Sequence, residues 1–135
     1  MRFMMLMYPG PRAEVPGAMP SAEDIGAMMK FNEELSKAGA LLALDGLQPS
    51  EKGARVTYQG GTPTVMDGPF AETKELLGGY WMIQVKSKEE AVEWAKRAPM
   101  SDNETIEVRR VHEIEDFPAD VQAAAAGFEE MIGRK

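Results

Sequence analysis

The run Asp67-Gly68-Pro69-Phe70-Ala71-Glu72-Thr73-Lys74-Glu75 gathers three carboxylates, a hydroxyl, an ammonium and an aromatic ring into nine residues. Gly68-Pro69 sets a stiff turn at its start. A rigid, polar loop can hold side chains in fixed positions, and loops on a stable scaffold often carry function. As a functional residue, Asp67 is the candidate acid/base or the anchor of a polar ligand group. As a turn residue, it accepts backbone N–H bonds, because Asp before Gly is a common turn signal. Glu72, Thr73 and Lys74 either face a ligand pocket or cap and hydrate the loop.

Arg109 is the second cationic candidate. It lies inside a strand-like run, where alternation puts it on the face of Glu107 and Val111. An Arg there needs a carboxylate, and Asp67 or Glu107 can supply it. Its functional role is to clamp an anionic substrate beside Lys74; its structural role is an ion pair. Tyr8 and Tyr80 stand at strand ends, where a hydroxyl reaches a pocket rim or finds a partner at the core's edge. Phe70 and Tyr80 are the candidate pocket walls.

Other chemistries lack their residues. The chain has no cysteine and a single histidine, His112, so thiolate chemistry is absent and a nitrogen-ligated metal site is poorly supported. There is no phosphate-binding glycine loop, dinucleotide fingerprint, calcium loop or nucleophile elbow. No cofactor and no metal are expected. The net charge of −7 and the lack of a basic patch argue against nucleic acid.

A length of 135 residues suits one domain with one core. No apolar run approaches the roughly 20 residues that span a bilayer, so no membrane association is expected. The opening Met1–Tyr8 stretch is too short for a signal peptide and reads as a strand. Together with the lack of cysteine, this makes a cytoplasmic location the expectation.

The elements that must position these groups follow from pattern. Met1–Tyr8 is apolar on both faces, as in a central strand. A Pro/Gly-rich, lid-like loop follows to Pro20. Ser21 opens a helix with Ile25, Met28, Phe31, Leu35 and Ala38 on one face, and Gly39 stops it. Leu41–Leu47 is a strand. Ala54–Gln59 and Thr62–Met66 form a hairpin around Gly60-Gly61. Gly79–Val85 is a strand rich in aromatic and branched residues. Ser87 to Glu90 has the spacing of a full capping box, and its helix buries Ala91, Trp94, Ala95 and Ala98. Ile106–Ile114 is the last strand. Phe117-Pro118 opens a final helix carrying Val121, Ala124, Ala125, Phe128, Met131 and Ile132.

The order predicts an α+β, ferredoxin-like split β-α-β fold with an antiparallel sheet, an extra β-hairpin and a C-terminal helix. The expected division is a domain over 1–115 and a helical extension over 116–135. Two helices cover only one face of the sheet. The other face keeps apolar residues, so a homodimer with facing sheets is expected.

Several blocks carry a family resemblance: Met4-Met5-Leu6-Met7-Tyr8, Gly46-Leu47-Gln48-Pro49, the Asp67–Glu75 run, Leu77-Gly78-Gly79-Tyr80, Ala91-Val92-Glu93-Trp94-Ala95 and Ile106-Glu107-Val108-Arg109. From Met1 to about Glu113 the chain resembles the YCII-related family, in particular its DGPF-domain branch. The resemblance implies a dimeric α/β barrel related to muconolactone isomerases and small cofactor-independent oxygenases. Some YCII-like members have a proposed His–Asp catalytic pair, with the His near the first helix; this chain has no His there. DGPF members also often accompany extracytoplasmic-function sigma factors. The leading expectation is a small-molecule-binding dimer, with cofactor-independent enzymatic action on a small polar or aromatic acid as its extension. The alternative is a non-catalytic regulatory or interaction protein.

Overall fold

A computed structural model describes residues 1–133. Four strands form an antiparallel sheet: β1 (Arg2–Tyr8), β2 (Leu41–Gly46), β5 (Gly79–Gln84) and β6 (Thr105–Arg110). Their spatial order is β2-β5-β1-β6, which puts the apolar β1 at the centre beside β5. Helices α1 (Ala22–Lys37) and α2 (Lys88–Arg97) make the two crossovers. This is the split β-α-β arrangement of a ferredoxin-like α+β fold.

Alternation decides the two faces. Phe3, Met5, Trp81 and Ile83 point to the helices and are buried with Phe31 and Leu35 of α1 and Ala91 of α2. Leu44, Ile106 and Val108 complete that layer. The Trp81 indole meets Phe31 edge-on at 5.5 Å between centroids. Its N–H donates to Asn32 Oδ1 at 2.8 Å, which satisfies the one buried polar side chain among the described residues. Among the described residues no helix layer packs on the opposite face, whose central Met4, Leu6 and Met82 are half-buried. Across one row it carries Asp45, Tyr80, Leu6 and Glu107, and across the next Ala43, Met82, Met4 and Arg109.

The helix signals act as read. Ser21 accepts the Asp24 N–H at 3.0 Å, and Ser87 accepts that of Glu90 at 3.1 Å. The second cap is not a full box, because Glu90 turns back to the Lys86 N–H instead of that of Ser87. Strands β3 (Ala54–Gln59) and β4 (Thr62–Asp67) form a separate two-stranded sheet. Gly60 and Gly61 both have positive φ, 57° and 81°, as the tight hairpin turn demands.

Two expectations are corrected. β6 stops at Arg110, and Ile114–Asp116 coils into a 3-10 turn whose Asp116 carboxylate takes the Glu113 N–H at 2.8 Å. The single C-terminal helix is two short ones, α3 (Ala119–Ala124) and α4 (Phe128–Met131). Gly127 between them has φ 89°, which a continuing helix does not allow. Positions 134 and 135 of the expected extension lie outside the described residues.

Candidate functional site

The Asp67–Glu75 loop is tied down by one serine. Ser50 begins a 3-10 turn (Ser50–Lys52) between β2 and the hairpin. Its N–H donates to Glu14 Oε2 at 3.0 Å, and its hydroxyl donates to the other Glu14 oxygen. The same hydroxyl oxygen accepts the Phe70 N–H at 3.1 Å. The Arg55 guanidinium lies 4.0 Å from the Phe70 ring centroid, a cation–π contact. Gly68 donates to the Gly53 carbonyl at 2.9 Å, and the Gly68-Pro69 peptide is cis. Three segments distant in sequence thus meet at Ser50: the Pro9–Pro20 loop, the hairpin base and the Asp67–Glu75 loop.

A cleft of about 840 Å³ opens beside this junction, at the end of the sheet where β1 and β2 stop and β5 begins. The Pro9–Pro20 segment forms one wall, with a 3-10 turn over Pro11–Glu14. Gly46–Pro49, Lys52 and Leu76–Gly78 form the other. Close packing holds the floor: a Cβ on Gly78 would lie 2.5 Å from the Pro9 ring. The lining mixes Val15, Met19, Leu47, Leu76 and Leu77 with two cations, Arg12 and Lys52, and three carboxylates, Glu14, Asp24 and Glu104. Each carboxylate is engaged locally by a neutral donor or a helix end, although all three stand as charges against the two cations of the lining. Glu14 is bonded to Ser50, Glu104 takes the Ser101 N–H at 2.6 Å, and Asp24 sits in the first turn of α1, at the positive end of that helix. Arg12 and Lys52 have no ion-pair partner among the described residues.

The residues expected from sequence fall into separate groups. Asp67 is the exposed last residue of β4, opposite Ala54. Phe70 belongs to the Ser50 junction. Glu72 precedes a 3-10 turn over Thr73–Glu75 that holds Thr73 and Lys74. Tyr8, Tyr80 and Arg109 belong instead to the uncovered sheet face. None of these eight lines the cleft.

On the sheet face, Tyr8 and Tyr80 stand on the two inner strands and reach towards opposite edge strands. The Tyr8 hydroxyl donates to Glu107 at 3.4 Å, and Arg109 lies 3.6 Å from the other Glu107 oxygen. Burial and then the Glu107 charge push the Tyr8 phenol above its ordinary pKa, with Arg109 opposing. The Tyr80 hydroxyl donates to Asp45 at 3.1 Å, and chiefly this bond raises its pKa. Both tyrosines therefore stay protonated donors at neutral pH. The carboxylate that meets Arg109 is Glu107, two positions away on its own strand.

Sequence reasoning did not single out Glu14, Ser50, Arg12 or Lys52. Glu14 and Ser50 are 36 positions apart, and neither neighbourhood holds a motif. The Pro/Gly-rich loop was the one available signal. Glu14→Ala leaves two partly buried Ser50 donors without their acceptor. The expected loss is about 1–2 kcal/mol by urea denaturation.

The family follows from comparison. A model of the YCII-related domain matches residues 1–115. The chain belongs to the YCII-related family. The YCII-related span takes in the whole four-stranded sheet, the hairpin and both cleft walls, and ends before α3. An uncharacterized protein of Rhizobium meliloti (strain 1021) is 37% identical over 73 residues, covering 54% of this chain and 56% of that protein. The chain thus matches little more than half the length of that curated relative. Among the described residues no helix is long and apolar enough to cross a membrane, and no cluster of His, Cys, Asp or Glu is arranged to hold a metal ion.

Proposed function

We propose that this YCII-related protein, of the DGPF branch, is a cytoplasmic small-molecule-binding homodimer. Its ligand site is the cleft between the Pro9–Pro20 wall and the Gly46–Pro49 and Leu76–Gly78 wall. The observation that carries this reading is the cleft's unpaired cation set. Arg12 and Lys52, without ion-pair partners among the described residues, flank an apolar lining, while the three nearby carboxylates are held by the chain's own neutral donors or by a helix end. Such a site suits a small acid with an apolar or aromatic body, as ligand pockets combine apolar walls with few polar anchors. The DGPF loop contributes indirectly. Through Phe70 and Ser50 it fixes the Glu14 wall, and Asp67 acts as a turn residue and not as an acid/base. Two of the cleft carboxylates are already engaged by the chain's own donors, which favours binding over turnover. The alternative of a regulatory protein whose signal is the bound acid fits the same feature. The dimer uses the uncovered sheet face, where Met4, Leu6 and Met82 lie at the centre. The segment from 116 onward is an extension outside the binding domain.

The test is a thermal-shift and calorimetric panel of small aromatic carboxylates, such as benzoate and phenylacetate, with the matching amides as neutral controls. A carboxylate at 100 times its Kd adds about 2.7 kcal/mol, several degrees of Tm for a domain of this size. The carboxylates are expected to bind and the amides to fail. Arg12→Ala/Lys52→Ala is expected to abolish the shift, and Leu47→Trp to block the cleft with little change in the unliganded melt. Binding that survives both variants unchanged removes the cleft from the proposal.

A further inference from the structure

The β3–β4 hairpin is an arm fixed at its base and bare along its length. All twelve of its strand residues are exposed. The register gives it two unlike faces. One carries Ala54, Val56, Tyr58, Pro63 and Val65, with Asp67 at its base, and the other Arg55, Thr57, Gln59, Thr62, Thr64 and Met66. The polar face is anchored through Arg55 on Phe70, and the base through Gly68 on the Gly53 carbonyl. On the apolar face, Val56, Tyr58 and Val65 remain 54%, 70% and 64% exposed. A lone two-stranded hairpin is marginal in water without something packed on it. The arm itself carries one cation, Arg55, and one carboxylate at its very end, Asp67, in a chain of net charge −7. It can therefore approach another acidic molecule of the same kind without adding repulsion.

We infer that the apolar face of the hairpin packs on a second copy of this chain, as an arm that enlarges the dimer interface. The inference rests on the facing-sheet dimer proposed above, and area is its reason. Four strands of about six residues cover roughly 19 by 20 Å, about 400 Å² in projection. Charged Asp45, Glu107 and Arg109 take up the margins of that area. Stable interfaces bury about 800 Å² of accessible surface on each partner, which a textured sheet face of this projection reaches only if its charged margins are buried too, so an apolar addition strengthens it. The hairpin supplies it: an unpartnered apolar surface on the same chain, held in a fixed attitude by the Ser50 junction. Because Ser50–Lys52 is both the arm's root and part of the cleft wall, the interface and the ligand site share one support.

The experiment is sedimentation equilibrium on wild type, on Val56→Glu/Val65→Lys and on Met82→Lys, with circular dichroism to check folding. Val56 and Val65 lie directly opposite, so a Glu–Lys pair keeps the hairpin rung while making its face polar. Wild type is expected to be a dimer. The hairpin double variant is expected to be folded, with its dimer Kd raised tenfold or more. A dimer Kd unchanged in the double variant, with Met82→Lys monomeric, overturns the arm and leaves the sheet dimer standing. A monomeric wild type at tens of micromolar overturns both.

Discussion

Trp81→Ala is expected to destabilise the protein by about 3–5 kcal/mol, the usual range for removing a buried aromatic. Trp81 is 4% exposed on an inner strand, and its ring is the largest in the core. Three losses coincide. The edge-on contact with Phe31 goes, a large cavity opens between sheet and α1, and Asn32 loses the donor that justifies its burial. Urea denaturation measures the loss. Trp81→Phe separates the parts: it fills most of the volume and leaves only the Asn32 Oδ1 without its donor, so about 1–3 kcal/mol is expected. Equal losses for the two variants would mean that the hydrogen bond, and not the packing, dominates.

Gly68→Ala is the second large effect, at about 3 kcal/mol, near the top of ordinary overpacking costs. A Cβ there would lie 1.7 Å from the Ser50 carbonyl oxygen and 2.6 Å from its carbon. The obstacle is backbone, so no side-chain rotation relieves it. The loop must leave Ser50, which releases the Phe70 N–H and with it the Glu14 wall of the cleft. Urea denaturation should show the loss, and hydrogen exchange should show faster amides in Thr62–Asp67 while β1 and β5 stay protected. Wild-type exchange rates in the hairpin would mean that the junction does not hold the arm. Gly78→Ala makes a useful contrast, since its neighbour is the Pro9 ring, a side chain at the cleft floor.

These two sites also divide what was legible in the chain from what was not. The Trp81 environment follows from alternation: Gly79 to Val85 names its own inward residues, and the Ile25–Ala38 periodicity names the helix that meets them. The capping serines, the Gly-Gly hairpin turn and the bare sheet face followed in the same way. The site did not. The Asp67–Glu75 run stood out by composition, and its chemistry was assigned to its own charged side chains. In the structure the loop's contacts with Ser50 are made by its backbone, through the Phe70 N–H and the close approach of Gly68. The C-terminal helix was over-extended because its apolar spacing continued through Gly127, where the backbone turns left-handed.

The one-dimensional pattern by itself determined the order of the strands and of the first two helices, the buried faces of β1, β5, α1 and α2, the starts of α1 and α2, and the family. All of these depend on neighbours within a few residues, where periodicity and capping act. Only the tertiary structure decided that Glu14, Ser50 and Phe70 share one junction, that Arg12 and Lys52 flank one cleft, and that Arg109 belongs with Glu107 and Tyr8. Such meetings join residues tens of positions apart, and they are set by how the sheet's ends and loops close in space, which no local spacing encodes.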